Sequence, residues 1–339
     1  MADRSLLETE SQLIERLSAP DQAVSNAVAQ LDGDILLLGV AGKMGPTLAE
    51  MLVRAGARRV IGVSRFSDSA QQDYLEKVGV RTIKADLLDE DALARLPQAH
   101  WVLFLAGFKF GATGNEPMTW TMNAYLPARV VQRFPRSHIV YVSSGNVYAY
   151  SPVIGRGAPE EGELGPVGEY AQSRLGGERL AWAMAQRQGT PLLIARLFYA
   201  TELRYGIVHD LAWKVQRGEI IDVSMGHVNQ IWQGDANAYL ARLFPRCATP
   251  PAVINLTGPQ VLSVRDIAAR LGEELGTVPV FAGLESETAL LGDASRLVAE
   301  CGPPATAIDQ VVRWMAHWVK IAGPSLGKPT KYESRSGKF

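Results

Sequence analysis

The stretch DILLLGVAGKMG, from Asp34 to Gly45, decides the fold. A short apolar strand runs into glycines at 39, 42 and 45, and the apolar-periodic TLAEMLVRAG follows at once, so strand, tight turn and helix form one unit. Such a turn lets backbone N–H groups approach a pyrophosphate and points the positive end of a helix dipole at it. It also leaves no Cβ where helix and strand touch. Gly39, Gly42 and Gly45, with Lys43 and Met44 between the last two, are therefore candidate dinucleotide-binding residues. The spacing is GxxGxxG rather than GxGxxG, and the flanking strand and helix give it meaning; a plain strand–turn–helix corner is the alternative. Lys43 either meets a phosphate beside the turn or points at water.

Downstream, RRVIGVSR, VRTIKADL, WVLFLAG, SHIVYVSS, PLLIARL and AVINLTG are short β-rich runs, with helical segments such as SAQQDYLEKVG and TMNAYLPARVVQRF between the earlier ones. The alternation predicts an α/β fold: a doubly wound parallel Rossmann sheet whose ligand sits at the carboxyl ends of the strands. Upstream, residues 1–33 read as an N-terminal helical arm divided at Pro20, with Leu6, Leu13 and Leu17 near one helical face. Residues 34–257 form the expected dinucleotide-binding domain, with an insertion at about 200–228, and 258–339 a smaller α/β substrate-binding part and tail. In that last part SVRDIAARLGEEL begins with a Ser263/Asp266 capping pattern, and Val311, Trp314, Met315 and Trp318 recur at helical spacing as core.

The composition suits a globular protein: 339 residues, 47% hydrophobic, net charge -1. No apolar run reaches the roughly 20 residues of a membrane helix, and MADRSLLETES lacks the regions of a signal peptide, so the cytoplasm is the expected location. Balanced charge gives no reason to expect nucleic acid or a membrane surface as partner. Cys247 and Cys301 are too few for a disulfide framework, and the five histidines show no metal-ligand spacing; no metal is expected. The tail KPTKYESRSGKF is locally basic, either solvated or folded back over a neighbouring surface.

Chemistry concentrates in two segments. The strand IVYVSS ends in Ser143 and Ser144, followed by GNVY, and GEYAQSRLGGERLAWA starts a helix with Tyr170 near its beginning. A strand-end hydroxyl and a helical tyrosine facing one cofactor make a proton-transfer site. With GVAGKMG, Asp86-Leu87 after the third strand, LAG (Leu105, Ala106, Gly107), Asn123, SSGNVY and YAQSRLGGERL, the chain resembles the extended short-chain dehydrogenase/reductase family of nucleotide-sugar epimerases and dehydratases. The resemblance implies Tyr170 as proton donor or acceptor, and Ser144, rather than Ser143, as the hydroxyl that holds the reacting oxygen. It implies that Asp86, Leu87, Leu105, Ala106, Gly107 and Asn123 line the cofactor. The family pattern is YxxxK, whereas Arg174 follows Tyr170 here; arginine keeps the positive charge and can bond a ribose hydroxyl, but its pKa above about 12 bars it from lending a proton. FLAGFKFG resembles the AGxKxxG stretch of UDP-galactose 4-epimerases, one residue shorter before the last glycine, and the resemblance places Lys109 on the nicotinamide side of the cofactor.

At the end of the second strand Ser64 and Arg65 stand where an acidic residue would favour NAD, and a guanidinium suits a 2′-phosphate. The expected cofactor is NADP, with NAD possible. After the sixth strand, Arg196 is followed by LFYATELRYG, without the asparagine and Gly-Pro turn of relatives that bind nucleotide sugars. A smaller polar substrate, such as a free sugar or sugar acid, is expected, with Arg204, His209 and Lys214 as candidates for an anionic group. The expectation is an NAD(P)-dependent oxidoreductase or epimerase, dimeric through the helices carrying Asn123 and Tyr170; the alternative is a non-catalytic dinucleotide sensor or scaffold.

Overall fold

The computed structural model describes residues 5–109 and 111–338. Its centre is one parallel sheet of β1 (Asp34–Leu38), β2 (Arg59–Ser64), β3 (Arg81–Lys84), β4 (Trp101–Phe104), β5 (His138–Ser144), β6 (Leu192–Leu197) and β7 (Ala252–Leu256). The spatial order is β7-β6-β5-β4-β1-β2-β3. β1 pairs with β2 on one side and β4 on the other, Leu36 opposite both Ile61 and Val102, so the chain reverses its direction of growth there. The crevice of a doubly wound sheet opens at that reversal, beyond the carboxyl ends of β1 and β4.

Strand β1 is apolar throughout because both faces are covered: Leu37 packs into one layer of core, Leu36 and Leu38 into the other. All three are fully buried, each side chain contributing about 1.5–3 kcal/mol. β3, at the edge, is short and polar, RTIK, as an unpaired edge requires.

A second core lies beside the sheet layers and is assembled from pieces far apart in sequence. Helix Ile207–Arg217, helix Val264–Leu275 and helix Ile308–Lys320 bring together Leu211, Ile267, Val311, Trp314, Met315 and Trp318. Ser263 caps the second of these by accepting from the Asp266 N–H at 3.2 Å. The parallel pair Ile220–Asp222 and Val280–Ala282 ties residues after 200 to residues beyond 258.

The N-terminal helices join both cores. Helix Glu10–Ser18 places Leu13 and Leu17 in the second core, whereas helix Gln22–Val28 places Val24 and Val28 against the sheet layer. Leu6, expected on the same face as Leu13, is exposed, because Thr9 and Gln12 form a capping box that starts the helix after it. Asn237 donates to the Leu17 carbonyl and Arg54 to Ser18, so the segment is bonded to the sheet layers as well as packed on them.

The basic tail folds back over the molecule. Leu326 N–H donates to the Arg204 carbonyl at 2.9 Å, and Thr330 donates through both N–H and Oγ1 to the Asp210 carboxylate at 2.7 and 2.6 Å. Tyr332 is buried, Arg335 bonds Thr288 and lies over the Tyr150 ring, and Gly337 packs on Val167 and Gly168. Among the described residues no helix is long and apolar enough to cross a membrane, and no His, Cys, Asp and Glu cluster could hold a metal. Both cysteines are free.

Candidate active site

The glycine turn is as tight as its sequence requires. Gly39 has φ of 86°, and a Cβ there would lie 2.8 Å from the Ala106 nitrogen. A Cβ on Gly45 would lie 2.0 Å from the Val40 carbonyl oxygen, so helix Gly45–Arg54 can only seat itself against the strand exit with glycine. Gly42 is exposed at the crest between them. No side chain caps the helix start at Met44, which leaves its N-terminal dipole facing the crevice. These features fit a dinucleotide pyrophosphate: Gly42 leaves the approach open and Gly39 removes the side chain that would block it.

One loop, the segment after β4, connects this turn to the tyrosine helix Gly168–Gln188. Ala106 packs against Gly39; Gly107 lies against Arg174, whose Nη1 would be 2.8 Å from a Cβ at that position; and the Lys109 Nζ lies 5.8 Å from the centre of the Tyr170 ring. Arg174 is buried, donates to the Val142 carbonyl and stacks over Tyr141 at 5.2 Å. It therefore reaches the ends of both β4 and β5. Leu105 N–H completes the parallel ladder by donating to the Leu38 carbonyl.

Asn123 is fully buried and holds that loop. Its amide accepts from Phe108 N–H and donates to Phe108 O, each at 2.8 Å, and donates to Ser173 Oγ on the tyrosine helix at 3.1 Å. Sequence reading set Asn123 among the residues lining the cofactor; in the structure its side chain is bonded within the protein and positions the loop. It sits in a wide helical turn, Thr121–Tyr125, ahead of Pro127, which has no N–H to offer the Asn123 carbonyl. Gly177 packs on that carbonyl, where a Cβ would stand 1.9 Å away, and Gly176 packs on Trp120. Both glycines thus serve contacts within the chain.

The two serines at the end of β5 part company. Ser143 donates to Glu178 at 2.6 Å, and Glu178 in turn is gripped by Arg196 in a buried pair whose shortest contact is 2.7 Å. Arg196 also donates to Tyr148 at 2.7 Å. Ser144 has no part in this network; its Oγ bonds Asn146, accepting from the backbone N–H and donating to Oδ1. Tyr170 is half-buried, and its carbonyl accepts from Ser173.

On the adenosine side, Ser64 ends β2 and Arg65 is exposed just beyond it. Buried Phe66 follows with φ of 44°, a backbone region that bulky residues rarely occupy and that nothing in the sequence announced. Asp86 is exposed and accepts from Leu88 N–H at 3.0 Å, while Leu87 is buried.

Lys43 lies at the crevice with its Nζ 3.2 Å from the centre of the Tyr205 ring. Burial, with Lys109 and Lys328 nearby, lowers its pKa to about 6; burial lowers that of Lys109 to about 8. The three groups expected to meet an anion are engaged elsewhere: Arg204 pairs with Glu202 and Glu10, His209 with Asp210, and Lys214 with Glu333. Asp235 accepts twice from Thr306, a structural contact. Sequence reading did not place the tail beside the tyrosine helix, where Gly337 packs against Gly168, two residues before Tyr170; the basic run KPTKYESRSGKF was the available signal.

The NAD dependent epimerase/dehydratase family matches residues 35–201. That match spans just under half of the chain. The matched region contains the glycine turn, both serines, Tyr170 and Arg174, and its fold agrees with solved structures over most of the chain. A UDP-glucuronic acid 4-epimerase from Bacillus cereus, solved in complex with NAD, is 18% identical with a TM-score of 0.72, covering 85% of this chain and 98% of that one. A UDP-glucose 4-epimerase from Thermotoga maritima, solved with UDP-glucose, is 17% identical with a TM-score of 0.69, covering 85% and 99%. A putative epimerase from Burkholderia cenocepacia is 21% identical with a TM-score of 0.67, covering 84% and 97%. At these identities the likeness establishes the fold. No curated protein matches the sequence.

Proposed function

We propose that this protein is an NAD(P)-dependent oxidoreductase or epimerase acting on a hydroxyl or keto group of a sugar-like or small polar substrate, with NADP as the preferred cofactor. The observation that carries this reading is the loop after β4. It touches the glycine turn through Ala106 and the Tyr170 helix through Gly107 and Lys109, so one crevice serves a dinucleotide and a tyrosine together.

The bound dinucleotide supplies the hydride donor or acceptor. Tyr170 exchanges a proton with the substrate oxygen, and Ser144, outside the buried network, gives that oxygen a hydrogen bond. Arg174 holds a fixed positive charge between the ends of β4 and β5, where it favours negative charge developing on oxygen. It exchanges no proton there. Lys109 adds an ammonium beside the Tyr170 ring. Exposed Arg65 is placed for the 2′-phosphate that separates NADP from NAD.

Tyr170→Phe is the test. In assays that follow nicotinamide absorbance across hydroxy-carbonyl sugars, the variant should lose about a thousandfold in turnover while keeping cofactor affinity, the scale of a lost acid–base group. Turnover unchanged by the substitution removes Tyr170 from the reaction, and absence of turnover in the unaltered chain beside intact cofactor binding favours a sensor. We also infer a homodimer, supported by exposed Met118, Trp120, Tyr125 and Leu180 on the two helices, and checked by light scattering on the purified protein.

A further inference from the structure

The start of the tyrosine helix and the end of the tail meet backbone to backbone. Gly168, where that helix begins, has φ of 80°, and a Cβ there would stand 2.5 Å from the Gly337 carbonyl oxygen. Gly337 has φ of 67°, and a Cβ there would stand 2.1 Å from the Val167 carbonyl oxygen. Each glycine therefore answers the other, because neither the backbone conformation nor the space at either position accepts a side chain. No side chain caps the helix at Val167, and Tyr170 lies in the turn that this contact braces. Glu169, between them, accepts from Trp120 Nε1 at 2.5 Å, so the turn is held from a second direction as well.

Two residues before Gly337, the tail is fastened to a different element. Arg335 donates to the Thr288 carbonyl and to Thr288 Oγ1, each at 2.8 Å, and its guanidinium lies 4.2 Å from the centre of the Tyr150 ring. The Tyr150 hydroxyl donates in return to the Arg335 carbonyl at 3.2 Å. Tyr150 belongs to the segment that leaves Ser144, and the next two residues, Ser151 and Pro152, pair antiparallel with Ala289 and Thr288. The end of the tail thus joins the segment leaving Ser144 to the helix bearing Tyr170. Farther up, the tail has anchors of its own, with Leu326 on the Arg204 carbonyl, Thr330 on Asp210 and Tyr332 buried.

We propose that Arg335 and Gly337 are positioning residues for the reaction: together they fix the first turn of the tyrosine helix relative to the segment leaving Ser144, and so set how the Tyr170 and Ser144 hydroxyls meet one substrate oxygen. This rests on the functional reading above and deepens it. The first turn of a helix is where fraying begins, and a misplacement of about 1 Å in a reacting group costs about a hundredfold in rate.

Two variants break the contact. Gly337→Ala drives a methyl group into the Val167 carbonyl, and a chain ending at Ser334 removes both positioning residues while keeping the anchors at Leu326, Thr330 and Tyr332. Gly327→Ala is the control, since Gly327 lies in the same tail with φ of 63° and nothing within 4 Å of its Cβ position. Turnover is followed on the panel of hydroxy-carbonyl sugars that tests Tyr170→Phe, glucuronate and glucose among them. Both variants should lose about tenfold to a hundredfold in turnover, with NADPH affinity within about twofold of the parent and the unfolding midpoint little changed. Amide hydrogen exchange over residues 169–172 should be faster in both. Gly327→Ala should match the parent in every reading. If Gly337→Ala does not fold, the chain ending at Ser334 carries the test.

Unchanged turnover in the variants, or unchanged exchange at the helix start, overturns the proposal. NADPH affinity or unfolding midpoint falling in step with turnover would make the end of the tail a structural clasp only, and overturns it too. Absence of turnover in the unaltered chain strikes the functional reading and this proposal with it, whereas turnover that ignores both variants strikes only this one.

Discussion

Two charged clusters flank the end of β5, and they are built in opposite ways. Glu178 and Arg196 are buried as a matched pair; Ser143, Tyr148 and the Glu160 carbonyl complete their hydrogen bonds, and Tyr148 in turn donates to Asn255. In the crevice, Lys43 and Lys109 stand instead against the rings of Tyr205 and Tyr170. A pair closed by its own partners holds the fold; a crevice lined by ammonium groups and tyrosine rings is suited to a ligand. Ser143 and Ser144, adjacent in sequence, fall on the two sides of that division.

Substitutions at each cluster should separate these roles. Glu178→Gln leaves the Arg196 guanidinium buried without its counter-charge, and denaturant unfolding should show a loss of about 3–5 kcal/mol. Loss of activity without loss of stability would break the contrast. Ser144→Ala should lower turnover by about tenfold to a hundredfold with little change in unfolding midpoint, whereas Ser143→Ala should cost about 1–3 kcal/mol of stability. Exchange of those two phenotypes would reverse the assignment of the serines. Arg65→Ser should weaken NADPH about tenfold and leave NADH nearly unchanged, read by fluorescence titration.

A pH-dependent effect concerns Lys43. Its pKa in the fold is about 6 against 10.5 for the free side chain, so between those limits the unfolded chain binds the additional proton. Stability from this residue therefore rises with pH across that window, and its penalty is full below about pH 6. Lys43→Met removes the penalty. The variant should melt higher than the parent, by a larger margin near about pH 6 than near about pH 9, and an equal margin at both would show that Lys43 is not desolvated.

The sheet was legible because parallel strands buried on both faces leave unbroken apolar runs, as in DILLL and HIVYV, and because Gly39 and Gly45 meet local steric demands. Contacts between distant segments left no such mark. Nothing near Arg196 announces that Glu178 will neutralise it, and the two N-terminal helices look alike in sequence although they enter different cores. Asn123 was recognisable as a site residue, but its bonding to Phe108 and Ser173 depends on a wide turn that the residues around Pro127 only suggest. The tail's charge was visible and its destination was not, because Thr330 finds Asp210 across 120 residues of chain.

The central claim is that the crevice beyond β1 and β4 holds a nicotinamide dinucleotide against Tyr170. Fluorescence titration with NADPH and NADH, for the unaltered chain and for Gly39→Val, tests it most directly. The account predicts saturable binding to the unaltered chain, NADPH the tighter, and its loss in a folded Gly39→Val variant whose side chain drives into Ala106. Binding of neither nucleotide to the unaltered chain would contradict it.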